Sequence, residues 1–163
     1  MAASYYGIPR TTLDADFIIH IPSKHTARFL RGLENADVKV DLRKALRQLK
    51  AGYNVITVGD KLSPHTADLI LVESSPDRKK GTVLGAETFF QSPESLILAK
   101  LRMIKATLPV ERSFKDREDI RQILSNTKVN RRKLLGLAEE QNTATVLREL
   151  LKPSRHSRSE SPE

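Results

Sequence analysis

The sequence predicts an α+β protein in which a small mixed β-sheet flanked by helices is followed by a C-terminal helical bundle. Short apolar runs of strand length, bounded by turn-forming residues, occur in the first 91 residues. From residue 92 onward the apolar residues recur at helical spacing instead. A chain of 163 residues suits one domain, or one domain with a small appended bundle. We therefore expect an α/β core over 1–91, a bundle over 92–151 and a disordered tail over 152–163, where apolar residues are almost absent.

The first part of the chain is predicted to alternate between strands and helices. A strand over about 13–21 ends at Pro22, because proline has no N–H to donate to a sheet. Asp41 is a capping residue ahead of the helical stretch "LRKALRQLKAG". The other predicted elements are a helical turn closed by Gly7, a helix over 24–33, and strands in "NVITVG" and "TADLILVE". The next segment, "SSPDRKKG", is predicted to be a polar loop before a short strand in "TVLG". Its "DRKK" run is predicted to be solvated, and the alternative is that it binds RNA.

The second part begins with a strong helix-start pattern. The segment "SPES" supplies a serine cap, a proline in the first turn and an early glutamate. Leu96, Ile97, Leu101 and Ile104 follow at helical spacing until Pro109 ends the helix. Further helices are predicted over about 114–124, 130–140 and 143–151.

The composition narrows the classes of protein. Lys and Arg number 28 against 20 Asp and Glu, a net charge of +8, and such a field favours polyanions such as RNA, DNA or nucleotide phosphates. Many small intracellular proteins are equally basic without binding nucleic acid, so both interpretations stay open.

Cysteine is absent, which excludes disulfides and thiolate metal sites. No apolar run reaches the roughly 18 residues of a membrane helix, and no signal-peptide pattern occurs, so we expect a cytoplasmic protein without membrane contact.

Three aspartates stand at the starts of predicted strands. Asp14 and Asp16 are two residues apart, so in a strand their side chains point to the same face. Asp68 opens the apolar run "DLILV", and if its strand neighbours the first one, three carboxylates meet at one edge of a sheet. Such hard oxygen ligands suit Mg²⁺, and two ions of this kind can activate an attacking hydroxyl and neutralise leaving pyrophosphate. The alternative is that Asp14 and Asp68 are strand-end residues in turns and Asp16 is solvated.

Four segments together resemble a known enzyme superfamily. "GIPRTTLDADFIIHI" resembles the metal-binding strand of the DNA polymerase β-like nucleotidyltransferases, and "ADLIL" resembles their third-carboxylate strand. "SPESLILAKLRMIKA" and "RSFKDREDIRQIL" resemble two helices of the AbiEii-type branch, which includes abortive-infection toxins. The resemblance runs in the same order from about residue 5 to residue 151. It implies a nucleotidyltransferase-like sheet in the first part of the chain.

The resemblance also implies a role for each matching residue. Asp14 and Asp16 would hold Mg²⁺, and Asp68 would complete the metal site or act as the base on the incoming hydroxyl. Lys100 would reach the nucleotide phosphates. Asp116 would orient that lysine or assist catalysis.

Lys100 and Asp116 also have a physical case that is independent of any family. Lys100 lies on a helix with one buried side, and a lysine near that side needs a partner such as Asp116. The alternative is that Lys100 is a solvated helix lysine like Lys105. Asp119 is predicted to be exposed and paired along its helix with Lys115.

The segment before the aspartate pair both supports the resemblance and departs from it. Arg10 would contact a phosphate or anchor the loop. Thr11 and Thr12 would supply hydroxyls to the nucleotide site, or they would be ordinary residues at the start of a strand. Members of the superfamily usually carry a Gly-Gly or Gly-Ser pair further upstream, whose bare N–H groups cradle the triphosphate. The chain has no such pair, and Gly7 comes too late for that role. We expect either an upstream start codon or a lost phosphate loop. In the second case a sheet edge would be exposed or covered by a partner chain.

Three functions are compatible with these features. The leading hypothesis is Mg²⁺-dependent transfer of a nucleoside monophosphate from a nucleoside triphosphate to an RNA 3′ end, such as that of tRNA, or to a protein hydroxyl, as a component of a toxin–antitoxin pair with a cognate antitoxin. The first alternative is a catalytically degenerate module of the same fold that binds RNA or a partner protein. The second is a metal-dependent nuclease, which would use similar carboxylates but would not require the Lys100 segment.

Overall fold

The computed structural model describes residues 2–7, 15–107 and 113–152, and its architecture is α+β as predicted. The helices are α1 (Ala2–Tyr5), α2 (Ser23–Asn35), α3 (Leu42–Lys50), α4 (Pro93–Ala106), α5 (Phe114–Asn126), α6 (Arg131–Glu140) and α7 (Ala144–Leu150). The strands are β1 (Ala15–His20), β2 (Val38–Lys39), β3 (Val55–Asp60), β4 (Thr66–Val72), β5 (Arg78–Val83) and β6 (Ala86–Gln91). No helix in the described ranges has the length and apolar character needed to cross a membrane.

The described residues form two compact units. The first unit holds residues 15–77, and the second holds residues 2–7 together with 78–107 and 113–152. The junction between them at residue 77 comes earlier than the boundary predicted at residue 91, because the β5–β6 hairpin belongs with the helical part. Of the tail predicted to be disordered, only Lys152 lies within the described residues.

The first unit is built on a mixed four-stranded sheet with the order β1-β4-β3-β2. β1 runs parallel to β4, whereas β3 pairs antiparallel with both β4 and β2. Side chains from α2, α3, β3 and β4 form its core: Leu30, Ala45, Ile56, Val58, Leu69 and Leu71. Because side chains alternate along a strand, this core occupies one face of the sheet and leaves the other face to the intervening residues.

Two aspartates hydrogen-bond backbone N–H groups next to this sheet. As predicted, the Asp41 carboxylate caps α3 by accepting the Lys44 N–H at 2.9 Å. In the turn after β3, Asp60 accepts the N–H of Leu62 at 3.0 Å and the hydroxyl of Ser63 at 2.6 Å. These two hydrogen bonds, with the Leu62 N–H as the larger cause, lower the pKa of Asp60 below its usual value.

The second unit has a helical core to which the N-terminal residues contribute. Buried side chains from residue 6 and from α4 to α7 pack together: Tyr6, Ile97, Leu98, Leu101, Ile104, Ile120, Ile123, Leu134, Ala138, Ala144, Leu147 and Leu150. The Tyr6 hydroxyl donates to the Gln91 carbonyl at 2.6 Å, and the Tyr5 ring stacks on Phe90 at 4.0 Å. A Cβ at Gly81 would lie 2.9 Å from ring atoms of both stacked residues, so the stack requires a glycine there.

The prediction of a polar loop in "SSPDRKKG" is wrong for its second half, where the hairpin begins. Arg78, Lys79 and Lys80 are the first residues of β5, which pairs antiparallel with β6. Three consecutive charged residues hide the two-residue period that marks a half-buried strand, and the apolar side chains that stabilise the hairpin come from β6 and α1. The hairpin turn consists of Leu84 and Gly85, both with positive φ (50° and 82°).

Replacing Leu84 with asparagine is expected to stabilise the protein by about 1 kcal/mol. Leu84 is fully exposed, so its side chain contributes little packing, whereas its left-handed backbone is costly for leucine and tolerated by asparagine. Urea denaturation monitored by circular dichroism would measure the change in the free energy of unfolding. Leu62 is also almost fully exposed but is not among the positive-φ residues, so Leu62→Asn should leave stability unchanged; an equal gain there would contradict the strain argument.

Candidate functional site: a carboxylate pair and a buried lysine

Asp16 and Asp68 lie side by side on neighbouring parallel strands. Asp16 on β1 is in register with Asp68 on β4, and Asp68 is in register with Thr57 on β3. In-register residues on adjacent strands point to the same face, so the three side chains form a row across the sheet, with strands about 4.8 Å apart. Both aspartates lie within their strands rather than in turns.

The row lies on the sheet face opposite the hydrophobic core. Leu69 and Ile56, each one position from the row, contribute to that core with α2 and α3, so alternation directs Asp68 and Thr57 away from it. Asp16 is exposed and Asp68 is half-buried. The site is therefore an acidic patch on a partly apolar sheet surface and is accessible to a polar ligand.

Thr57 makes the two oxygens of Asp68 different from each other. The Thr57 hydroxyl donates to Asp68 Oδ1 at 2.6 Å, which occupies one oxygen and fixes the carboxylate plane. Within the part of the chain that the structure describes, Oδ2 accepts no hydrogen bond and is available to a cation or a proton. Sequence alone could not identify Thr57, because the register of β3 against β4 is set by tertiary packing.

The donor set of this row fits Mg²⁺. That ion usually binds one or two protein carboxylates and completes its octahedral coordination with water and substrate phosphates. Asp16 and Asp68 are therefore enough protein ligands for one ion. Among the described residues no group of three or more His, Cys, Asp or Glu side chains is arranged to hold a metal. Asp14, predicted as a further ligand, lies outside the described residues, as do Arg10, Thr11 and Thr12.

A second polar cluster, in the second unit, surrounds Lys100 on α4. The predicted contact with Asp116 is present: Lys100 Nζ lies 2.8 Å from its Oδ1. The Lys100 side chain is only 13 % exposed, so the solvated-lysine alternative is wrong. The ammonium carries three N–H donors, and contacts to two carboxylates leave one donor for a further acceptor such as a phosphate oxygen.

Asp119, predicted to be exposed and paired with Lys115, is instead the second carboxylate of the Lys100 cluster. Its side chain is 5 % exposed and its Oδ2 lies 2.5 Å from Lys100 Nζ, whereas Lys115 is exposed. Asp116 and Asp119 are three residues apart on α5, so they share the helix face that also buries Ile120. The spacing places Asp119 on the face of Asp116, but it does not by itself reveal the contact with Lys100, which lies on another helix.

The predicted site residues thus fall into two groups, each described within its own unit. Asp16 and Asp68 come together on the sheet of the first unit, and Lys100 and Asp116 come together between α4 and α5 of the second. Comparison of the chain with known protein families, with curated proteins and with solved structures gave no match.

Proposed function

We propose that the chain is an Mg²⁺-dependent nucleotidyltransferase whose metal-binding residues include Asp16 and Asp68. The observation that carries the proposal is their in-register placement on adjacent parallel strands. Two like charges held side by side destabilise a sheet, so this pair does not serve the stability of the fold. A bound cation between the two carboxylates would remove the repulsion and accounts for their placement. The net charge of +8 also favours binding of a nucleoside triphosphate or RNA, both of which are polyanions.

The reaction would transfer a nucleoside monophosphate from a triphosphate to a hydroxyl group. The acceptor oxygen bonds to the α-phosphorus, the bond to pyrophosphate breaks, and the hydroxyl proton moves to a base. Asp68 suits that role because Thr57 fixes its plane while Oδ2 remains open. Bound Mg²⁺ would supply charge neutralisation at the phosphates. The assignment of Lys100 to the nucleotide phosphates and of Asp116 to its orientation, implied by the resemblance, remains a separate prediction.

The nuclease alternative would use similar carboxylates and would not require the Lys100 segment. The degenerate-module alternative predicts the same fold and charge but no turnover. An RNA 3′ end and a protein hydroxyl both remain candidate acceptors, and a cognate antitoxin remains a candidate partner.

The proposal predicts Mg²⁺-dependent labelling that needs both aspartates. The chain would be incubated with Mg²⁺, each of the four α-labelled nucleoside triphosphates, and total tRNA or a protein mixture. Labelling by Asp16→Asn and Asp68→Asn should fall at least about 100-fold, because each change removes a ligand or a base. Asp37→Asn, which removes an exposed carboxylate from the same unit at a backbone position that asparagine tolerates, should label normally.

A stability measurement separates loss of catalysis from loss of the metal site. In EDTA, Asp16→Asn should be slightly more stable than the unaltered chain, by about 0.2–1 kcal/mol, since it removes a like-charge pair. Millimolar Mg²⁺ should raise the melting temperature of the unaltered chain but not that of the variant. Equal labelling by the chain and its variants, or no labelling by either, would contradict the proposed activity.

A further inference from the structure

The β5–β6 hairpin has one covered face and one open face. In-register pairing and strand alternation place Lys79, Gly81 and Phe90 on the face that meets Tyr5 of α1. The opposite face, here called the outer face, carries the alternate residues: Arg78, Lys80, Thr82, Glu87, Phe89 and Gln91. The hairpin therefore presents a defined polar and aromatic surface within the second unit.

An exposed aromatic ring lies at the centre of the outer face. Phe89 is 51 % exposed although it lies inside a strand, whereas Phe90, the next residue along β6, is buried. The Arg78 guanidinium carbon lies 4.3 Å from the Phe89 ring centroid, and Lys80 is the in-register partner of Phe89. Packing of the hairpin does not account for this arrangement, since the covered face already supplies the apolar contacts.

We propose that the outer face binds single-stranded RNA, with a base stacked against Phe89 and phosphates bound by Arg78 and Lys80. Proteins that bind single strands combine aromatic rings for stacking with cations that follow the backbone, and both are adjacent here. The hydroxyl of Thr82 and the side-chain amide of Gln91 lie on the same face and can hydrogen-bond a ribose 2′-hydroxyl or a base edge. The binding surface shares no residue with the aspartate pair and does not depend on the proposed transfer reaction.

An exposed aromatic ring next to two cations favours RNA over an apolar protein partner, and the ring rather than the charge favours RNA over an acidic one. The outer face holds two cations and one carboxylate, and Lys80 contacts that carboxylate, Glu87, at 2.5 Å while staying 66 % exposed. The Arg78 guanidinium lies against the Phe89 ring, and the residue as a whole stays 51 % exposed, so ring surface remains for a base beside a cation. The chain as a whole carries a charge of +8.

The test uses fluorescence anisotropy with a 12-nucleotide polyuridine strand and the full chain. Phe89→Ala and Phe89→Leu should each weaken binding about tenfold, whereas Phe89→Tyr should keep the affinity because it keeps the ring. The matched control is Phe114→Ala, which removes a ring that is 67 % exposed on α5 and should leave binding unchanged. Equal weakening by both alanine variants would overturn the assignment.

Salt dependence identifies the cations that bind phosphate. Arg78→Gln/Lys80→Gln should reduce the slope of log affinity against log salt by about 0.7 for each phosphate that is no longer neutralised, whereas Phe89→Ala should leave the slope unchanged. Arg131→Gln/Arg132→Gln removes the same charge from exposed positions on α6 and should not change the slope to that extent. If the α6 variant matched the hairpin variant, binding would be diffuse attraction and the proposal would fail. Equal affinity for a 12-nucleotide polythymidine DNA, or equal competition by polyglutamate, would also overturn it.

Discussion

Replacing Lys100 with methionine is expected to destabilise the second unit by about 3–5 kcal/mol. The ammonium is the cation shared by Asp116 and Asp119, and Asp119 is almost completely buried. Methionine preserves the apolar stem but leaves two carboxylates near each other without their counter-charge, and the more buried of them cannot be hydrated. Urea denaturation followed by far-ultraviolet circular dichroism would measure the free energy of unfolding.

The matched control for this change is Lys105→Met on the same helix. Lys105 is exposed in the last turn of α4, so its loss should change the free energy of unfolding by less than about 0.5 kcal/mol. The double variant Lys100→Met/Asp119→Leu should recover much of the lost stability, since it removes the buried charge together with its partner. A double variant no more stable than Lys100→Met would show that the cost lies in packing rather than in charge.

Replacing Leu147 with alanine is expected to cost about 2–5 kcal/mol. Leu147 is completely buried in the core of the second unit, and α7 has only seven residues, too few for a stable isolated helix. The helix therefore depends on tertiary contacts, and truncating its central core residue removes apolar contacts and leaves a cavity. The same denaturation measurement would report the loss.

Thr145→Ala is the control for this truncation. Thr145 is exposed on the same helix, so its replacement should change stability by no more than about 0.5 kcal/mol in either direction. A Leu147→Ala variant as stable as Thr145→Ala would mean that α7 contributes little to the core, contrary to its buried contacts with α5 and α6.

The sequence predicted those elements whose apolar pattern matches their period. The strand with Asp16 and the strand with Asp68 are apolar runs bounded by turn residues, and α4 has a serine cap with proline in its first turn. What the sequence could not specify was the register that aligns Asp16, Asp68 and Thr57, because register depends on how the helices cover the opposite face.

Two errors had a common cause, since charged residues were taken to mark segments that make no structural contact with other elements. The charged start of β5 concealed a strand whose apolar partners lie elsewhere in the chain, and Asp119 was assigned to solvent although it shares a helix face with Ile120. In both cases the stabilising contact is made with a residue on another element, and helical or strand period alone does not reveal it. The Lys100–Asp116 contact was predictable because a lysine beside a buried helix face needs a counter-charge.

The position of α1 has a consequence for the order in which the chain folds during synthesis. Tyr5 and Tyr6 are translated before the first unit, yet Phe90 and the Gln91 carbonyl that they contact are translated only after it. The first unit can complete its sheet while the N-terminal tyrosines still lack their partners. A fragment beginning at Arg78 would lack Tyr6 from its core, so the second unit is a folding unit that needs segments from both sides of the first unit.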